Sequence, residues 1–127
     1  MNKETYTNNL KVINKLFKTI ADENLDTIDV QILLRVILQP GLSPKDHYEA
    51  LKLPKSLFHR HMDYLAARKP TKSHTAGIHD TDRPAYLRVD FDPTDIRRRV
   101  LNPTPAGENL VCSLIANLNQ KREVKIF

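Results

Sequence analysis

This 127-residue chain has no tryptophan, a single cysteine, three glycines and an aromatic content of only 6%. One cysteine excludes an internal disulfide framework and fits a reducing compartment. Few glycines beside common helix-forming leucine, lysine and alanine favour a mainly helical chain. No apolar run approaches the length needed to span a bilayer, and the polar start MNKETYTNNLKV has no signal-peptide core. These features lead to the expectation of a cytoplasmic protein with no membrane partner. Ser-His-Asp spacing, a phosphate-binding glycine loop and an HExxH pair are all missing, so no enzymatic activity is expected. Hydrophobic content of 40% and charged content of 28% lie near globular averages, enough for one folded domain over residues 1–127. The formal charge of +5 points weakly towards an anionic partner.

Periodicity supplies the elements. Leu10, Ile13, Leu16, Phe17 and Ile20 fall at helical spacing, which predicts an amphipathic helix over residues 4–21. Asp26 or Thr27 caps a second helix, apolar on most sides and therefore expected to be buried, which stops at QPG. Ser43 and Pro44 are N-cap and first-turn residues for a short third helix over residues 44–51. After the turn KLP, a fourth helix is expected from Pro54 to Arg68, with Phe58, Met62 and Leu65 on one face. Two helices joined by so short a turn make a helix-turn-helix. Residues 69–84 are polar and read as a flexible loop.

AYLRVDF and IRRRVLN then read as two strands around the turn DPTD. Leu87, Val89 and Phe91 alternate with Tyr86, Arg88 and Asp90. Thr104 and Pro105 open a last helix whose apolar face is Leu110, Val111, Leu114, Ile115 and Leu118, followed by a basic tail. The fold class expected is mainly α with a small β-hairpin: a winged helix-turn-helix.

In such a fold the fourth helix reads the major groove of DNA with its early residues. Its exposed candidates are Lys55, Ser56, Leu57, His59 and Arg60, with Ser43 at the start of the preceding helix. Arg60 suits a bidentate contact with guanine, Leu57 a thymine methyl, and Lys55 a phosphate near the helix start. On the hairpin, Asp95 precedes Arg97, Arg98 and Arg99. A narrow minor groove attracts arginine, and Asp95 is placed to aim Arg97 or Arg99. Strand alternation puts Arg97 and Arg99 on one face and Arg98 on the other, so the three are not equivalent.

Two segments carry a family likeness. LKLPKSLFHRHMDYLAAR is similar to the recognition segment of the MarR family of winged-helix regulators, through Leu51, Leu53, Ser56, Arg60, Asp63 and Leu65. DPTDIRRRVLNPTPAG resembles that family's wing signature through Asp95, Arg97, Val100, Thr104 and Gly107. The resemblance implies a transcriptional regulator of double-stranded DNA, with Arg97 as the minor-groove residue braced by Asp95. It also implies a homodimer held by residues 1–21 and 105–127 around a DNA-binding core at 25–103, and a small-molecule effector. His47 and Tyr48 replace the usual Leu-Ala, Lys52 the turn glycine, and Pro103 an apolar residue. The polar segment 69–84 stands where the family has a loop of a few residues. The alternative is a winged-helix module for plasmid or phage replication or partition, or for protein–protein contact.

Neither metal nor cofactor is expected. His59 and His61 point to different sides of a helix, and His74, His79, Asp80 and Asp82 lie in a loop without paired cysteines. His47 is expected at the edge of the helix-turn-helix. Cys112 reads as a buried, inert thiol rather than a redox sensor.

Overall fold

The structure, a computed structural model, describes residues 2–69, 78–79 and 83–126. In chain order the elements are α1 (Lys3–Asp22), α2 (Thr27–Leu38), α3 (Pro44–Leu51), α4 (Lys55–Leu65), β1 (Arg68–Lys69), β2 (Ile78–His79), β3 (Leu87–Asp92), β4 (Asp95–Pro103) and α5 (Pro105–Ile126). They divide into two compact units, Thr27–Glu108 and Met1–Asp26 with Asn109–Phe127.

The first unit is organised around α2. α2 packs on α4 and β4; Ile32, Leu33 and Val36 are buried, as are Phe58, Met62 and Leu65 of α4 and Leu87, Val100 and Leu101 of the β3–β4 hairpin. Leu34 and Leu38 of α2 remain exposed, so this helix is less enclosed than its composition suggests. The α2–α3 link is stitched to the hairpin: Gly41 N–H donates to Leu101 O (2.9 Å) and Leu101 N–H to Leu42 O (2.9 Å). Buried Asp29 of α2 meets His61 of α4, Oδ1 to Nδ1 2.7 Å, joining the first and third helices of this unit.

α4 stops at Leu65, three residues short of the expected Arg68. Ala66 N–H turns back to Met62 O, and Ala67 takes a left-handed backbone (φ 53°) while fully buried. The chain is redirected because Leu65 O accepts from Tyr86 N (2.8 Å), at the start of the hairpin. The expected loop over residues 69–84 is corrected at both ends. Arg68 and Lys69 pair antiparallel with His79 and Ile78, and Arg83 donates to Tyr64 O (3.1 Å) while lying over its ring, 4.5 Å from the centroid. Residues 70–77 and 80–82, with His74, Asp80 and Asp82, lie outside the described residues.

Thr104 caps α5 as expected, with Gly107 N–H donating to its Oγ1 (3.1 Å) and that hydroxyl donating to Ala85 O. Gly107 has no room for a side chain. A Cβ there would lie 2.0 Å from Tyr86 O and 3.2 Å from Leu33 Cδ1. α5 runs for 22 residues to Ile126, so the basic tail continues the helix.

In the second unit Asn2 caps α1, its side chain accepting from Thr5 N (2.7 Å). Tyr6, Leu10, Ile13 and Phe17 line one exposed face of that helix, while Ile20 and Leu25 are buried. Along α5, Leu110, Val111 and Leu114 are buried. Cys112 is exposed, contrary to the expected buried thiol, because one residue past Val111 the helix has turned about 100° off that face. No helix of the described residues is long and apolar enough to cross a membrane.

Candidate nucleic-acid interface

α3, α4 and the hairpin present the candidate residues. The start of α3 is a complete capping box: Asp46 N–H donates to Ser43 Oγ (3.2 Å), and Ser43 N–H reaches Asp46 Oδ2 (3.4 Å). The Ser43 hydroxyl also donates to Asp46 Oδ2 (3.0 Å), which holds the Asp46 carboxyl below the usual carboxylate range. Ser43 is therefore occupied in shaping the helix start. α3 ends at Lys52 in the left-handed conformation (φ 57°), the position at which the resembled family has glycine.

His47, expected at the edge of this motif, is fully buried. Neither of its ring nitrogens has a hydrogen-bond partner among the described residues. Its place one turn before Leu51 puts it on the inward side of α3. Burial, followed by the charge of Arg35, lowers its pKa, with Asp46 opposing.

α4 begins after Pro54, which has no side chain able to cap it, so its first N–H groups are unclaimed by a side-chain cap. Lys55, Ser56 and Arg60 are exposed on this helix, and Leu57 is half-buried. His59 differs from the exposed reader expected. It is half-buried, its ring 6.3 Å from Tyr48 and 6.1 Å from Phe58. Burial lowers its pKa, with Asp63 opposing and Lys55 adding to the shift. Its neighbour Asp63 pairs with Arg68 at 3.7 Å.

The hairpin turn is built by Asp92, whose Oδ1 accepts from Thr94 N (2.8 Å) and Thr94 Oγ1 (2.7 Å); these bonds lower its pKa. The ladder then departs from simple alternation. Asp92 opposes Asp95 and Phe91 opposes Arg99, so Ile96, Arg97 and Arg98 have no partners across the strand and form a bulge. Each arginine has its own environment. Arg97 is 90% exposed, with Asp95 Oδ1 accepting from its backbone N–H (3.1 Å) and its Nε (3.4 Å). Arg98 turns towards α3 and donates to Asp46 Oδ2 (3.0 Å), with Asp92 Oδ2 at 3.8 Å. Arg99 lies over the ring of Phe91, 4.0 Å from its centroid. Phe91, which alternation groups with Leu87 and Val89, is 60% exposed, and Arg99 covers one side of it.

Sequence reasoning missed Asp46 and Phe91 as partners of the arginines. Asp46 was legible as the third residue of a capping box, but nothing local links it to Arg98, 52 residues away.

No family model matches this sequence, and no curated protein matches it. Solved structures do. Staphylococcus aureus MepR in complex with DNA superposes with a TM-score of 0.70 at 15% identity, over 97% of this chain and 79% of that one. MarR gives 0.61 at 17%, over 96% and 78%. Bordetella bronchiseptica BpsR gives 0.59 at 20%, over 97% and 78%. The chain has the MarR-like winged-helix fold. In that fold α3 and α4 are the helix-turn-helix and β3–β4 the wing. The MarR-like assignment thus rests on tertiary structure, since all three identities are too low for sequence to carry it.

Proposed function

We propose that this protein is a sequence-specific transcriptional regulator that binds double-stranded DNA, with α4 in the major groove and Arg97 in the adjacent minor groove. The observation that carries this reading is which polar and basic side chains stand exposed. Lys55, Ser56 and Arg60 are exposed on α4, and on the wing Arg97 projects while Arg98 is tied to Asp46 and Arg99 rests on Phe91. A helix of this kind fits the major groove, and one aimed arginine fits the strong negative potential of a narrow minor groove. Asp95 orients Arg97 by way of its backbone N–H as well as the guanidinium. Arg60 reads guanine, Lys55 and Ser56 meet phosphate or base edges, and Leu57 meets a thymine methyl.

The protein works as a cytoplasmic homodimer without enzymatic activity. Tyr6, Leu10, Ile13 and Phe17 present apolar surface at helical spacing along α1, the kind of stripe that pairs with its own copy. MepR is seen bound to DNA, and DNA binding by BpsR is regulated by 6-hydroxynicotinic acid. By the same logic a small-molecule effector modulates this chain.

A salt titration of binding to random-sequence duplex DNA tests the reading. Affinity should fall steeply with salt as phosphate counterions are recovered, and Arg97→Ala should reduce the log–log slope by about 1. No duplex binding by the intact protein at low salt would overturn it. That result would favour a protein-binding winged helix.

A further inference from the structure

Ile96 is the least explained side chain of the wing. It is 77% exposed, at the tip of a hairpin whose other large exposed hydrophobic residue, Phe91, is covered on one side by Arg99. A single exposed aliphatic residue on a protein surface ordinarily needs no explanation. This one differs in its position. It lies within the three-residue bulge, between Asp95 and Arg97, the acid and base that form one braced pair. A bulge breaks strand alternation and re-aims the side chains it carries. Here it lets Ile96 and Arg97, which regular pleating would send to opposite faces, both stand clear of the hairpin.

Charge and shape then point to one occupant. The tip is cationic through Arg97, beside Arg98 and Arg99, in a chain of net charge +5. Whatever anionic surface receives Arg97 must accommodate Ile96 one residue away, a step of about 3.3 Å along a strand. Phosphate has nothing to offer an aliphatic β-branched group. The floor of a DNA minor groove does, because proteins that bind there place isoleucine, leucine or phenylalanine between base steps, unstacking them and kinking the duplex. Branching at Cβ keeps the side chain stiff, so little rotamer freedom is lost on insertion.

We propose that Ile96 is a wedge that enters the minor groove beside Arg97, opens one base step, and so makes the protein select deformable sequence outside the bases read by α4. This rests on the DNA-binding reading and adds to it a second source of specificity. Pyrimidine–purine steps, which unstack most readily, are the sequences selected.

The experiment uses the full chain and duplexes that the wild type selects from a random pool, end-labelled so that energy transfer reports bending. The wild type should bend its selected duplex, and its selected set should contain a TA or CA step flanking each half-site. Ile96→Ala should bind about tenfold more weakly, straighten the duplex and lose the flanking step while keeping the half-site. Ile96→Leu should retain the bend. Ile96→Lys should lose it despite its added charge. Because Ile96 is exposed, thermal unfolding of all three variants should match the wild type, which separates these effects from misfolding. A wild type that binds without bending overturns the wedge and leaves DNA binding intact. So does an Ile96→Ala variant that binds and bends like the wild type, which would give the apolar tip to a protein partner. A wild type that binds no duplex overturns the DNA reading and the wedge together.

Discussion

Replacing His47 with leucine should make the protein more stable. The imidazole is completely enclosed and neither nitrogen finds a partner among the described residues. Leaving a buried polar atom without a hydrogen bond costs about 1–3 kcal/mol. Leucine removes both atoms at similar volume, so a gain of about 1–2 kcal/mol at pH 7 is expected, after allowing for imperfect repacking. In a chain of this size that raises Tm by roughly 3–8 °C.

The pH dependence makes the same test sharper. Burial and Arg35 hold the folded-state pKa of His47 below its ordinary 6.5, so below pH 6.5 the unfolded chain takes up a proton that the folded chain refuses. Stability is then fully present above pH 6.5 and is lost as pH falls from there towards the depressed folded value. The slope reaches at most about 1.4 kcal/mol per pH unit for one such group. His59 acts in the same direction but is half-buried and contributes less. Asp46 and Asp92, both held below 3.8, are shifted the same way, but their contribution is lost only at lower pH, as it falls from about 3.8 through their depressed folded-state values. Urea unfolding followed by circular dichroism at steps between pH 7 and 4.5 would measure this. The advantage of His47→Leu should widen as pH falls below 6.5. A variant less stable than wild type, or one with an unchanged slope, would refute the argument and mean that the imidazole is satisfied where it sits.

Three further substitutions follow from the geometry. Gly107→Ala should destabilise by about 3 kcal/mol or more, because its Cβ would sit 2.0 Å from Tyr86 O, a backbone atom that cannot swing aside; a denaturant midpoint within error of wild type would contradict this. Lys52→Gly should stabilise by about 1 kcal/mol in the same assay, since the left-handed backbone of Lys52 (φ 57°) disfavours any residue with a Cβ. Arg97→Ala should weaken binding to duplex DNA more than Arg98→Ala, measured by fluorescence anisotropy at fixed salt. Equal losses would mean a diffuse charge patch and would remove the role given to Asp95.

Much of the architecture was legible from local pattern. α1, α2, α3 and the start of α5 follow from 3.6-residue periodicity and from caps such as Ser43-Pro44 and Thr104-Pro105, which act within a few residues of themselves. The hairpin was legible because Asp92 and Pro93 make its turn with their own side chains. The end of α4 was not. Nothing in MDYLAARK forbids another helical turn; the bond from Tyr86 to Leu65 O, across 21 residues, draws the chain away.

The same division runs through the candidate site. Residue type and order along the chain were enough to nominate the fourth helix and the acid before the arginines, since helix positions and neighbouring charges are set by the local backbone. They also sufficed to say that Arg97, Arg98 and Arg99 are not equivalent. Which of them projects, and why, required the fold. Arg98 is engaged because α3 brings Asp46 beside the wing, Arg99 because pairing in the sheet sets it opposite Phe91, and Arg97 projects because three residues of β4 have no partners in β3. Enclosure of His47 and exposure of Ile96 belong to the same class. Burial is a property of everything packed around a residue, and the chain supplies those neighbours from positions that no local pattern connects.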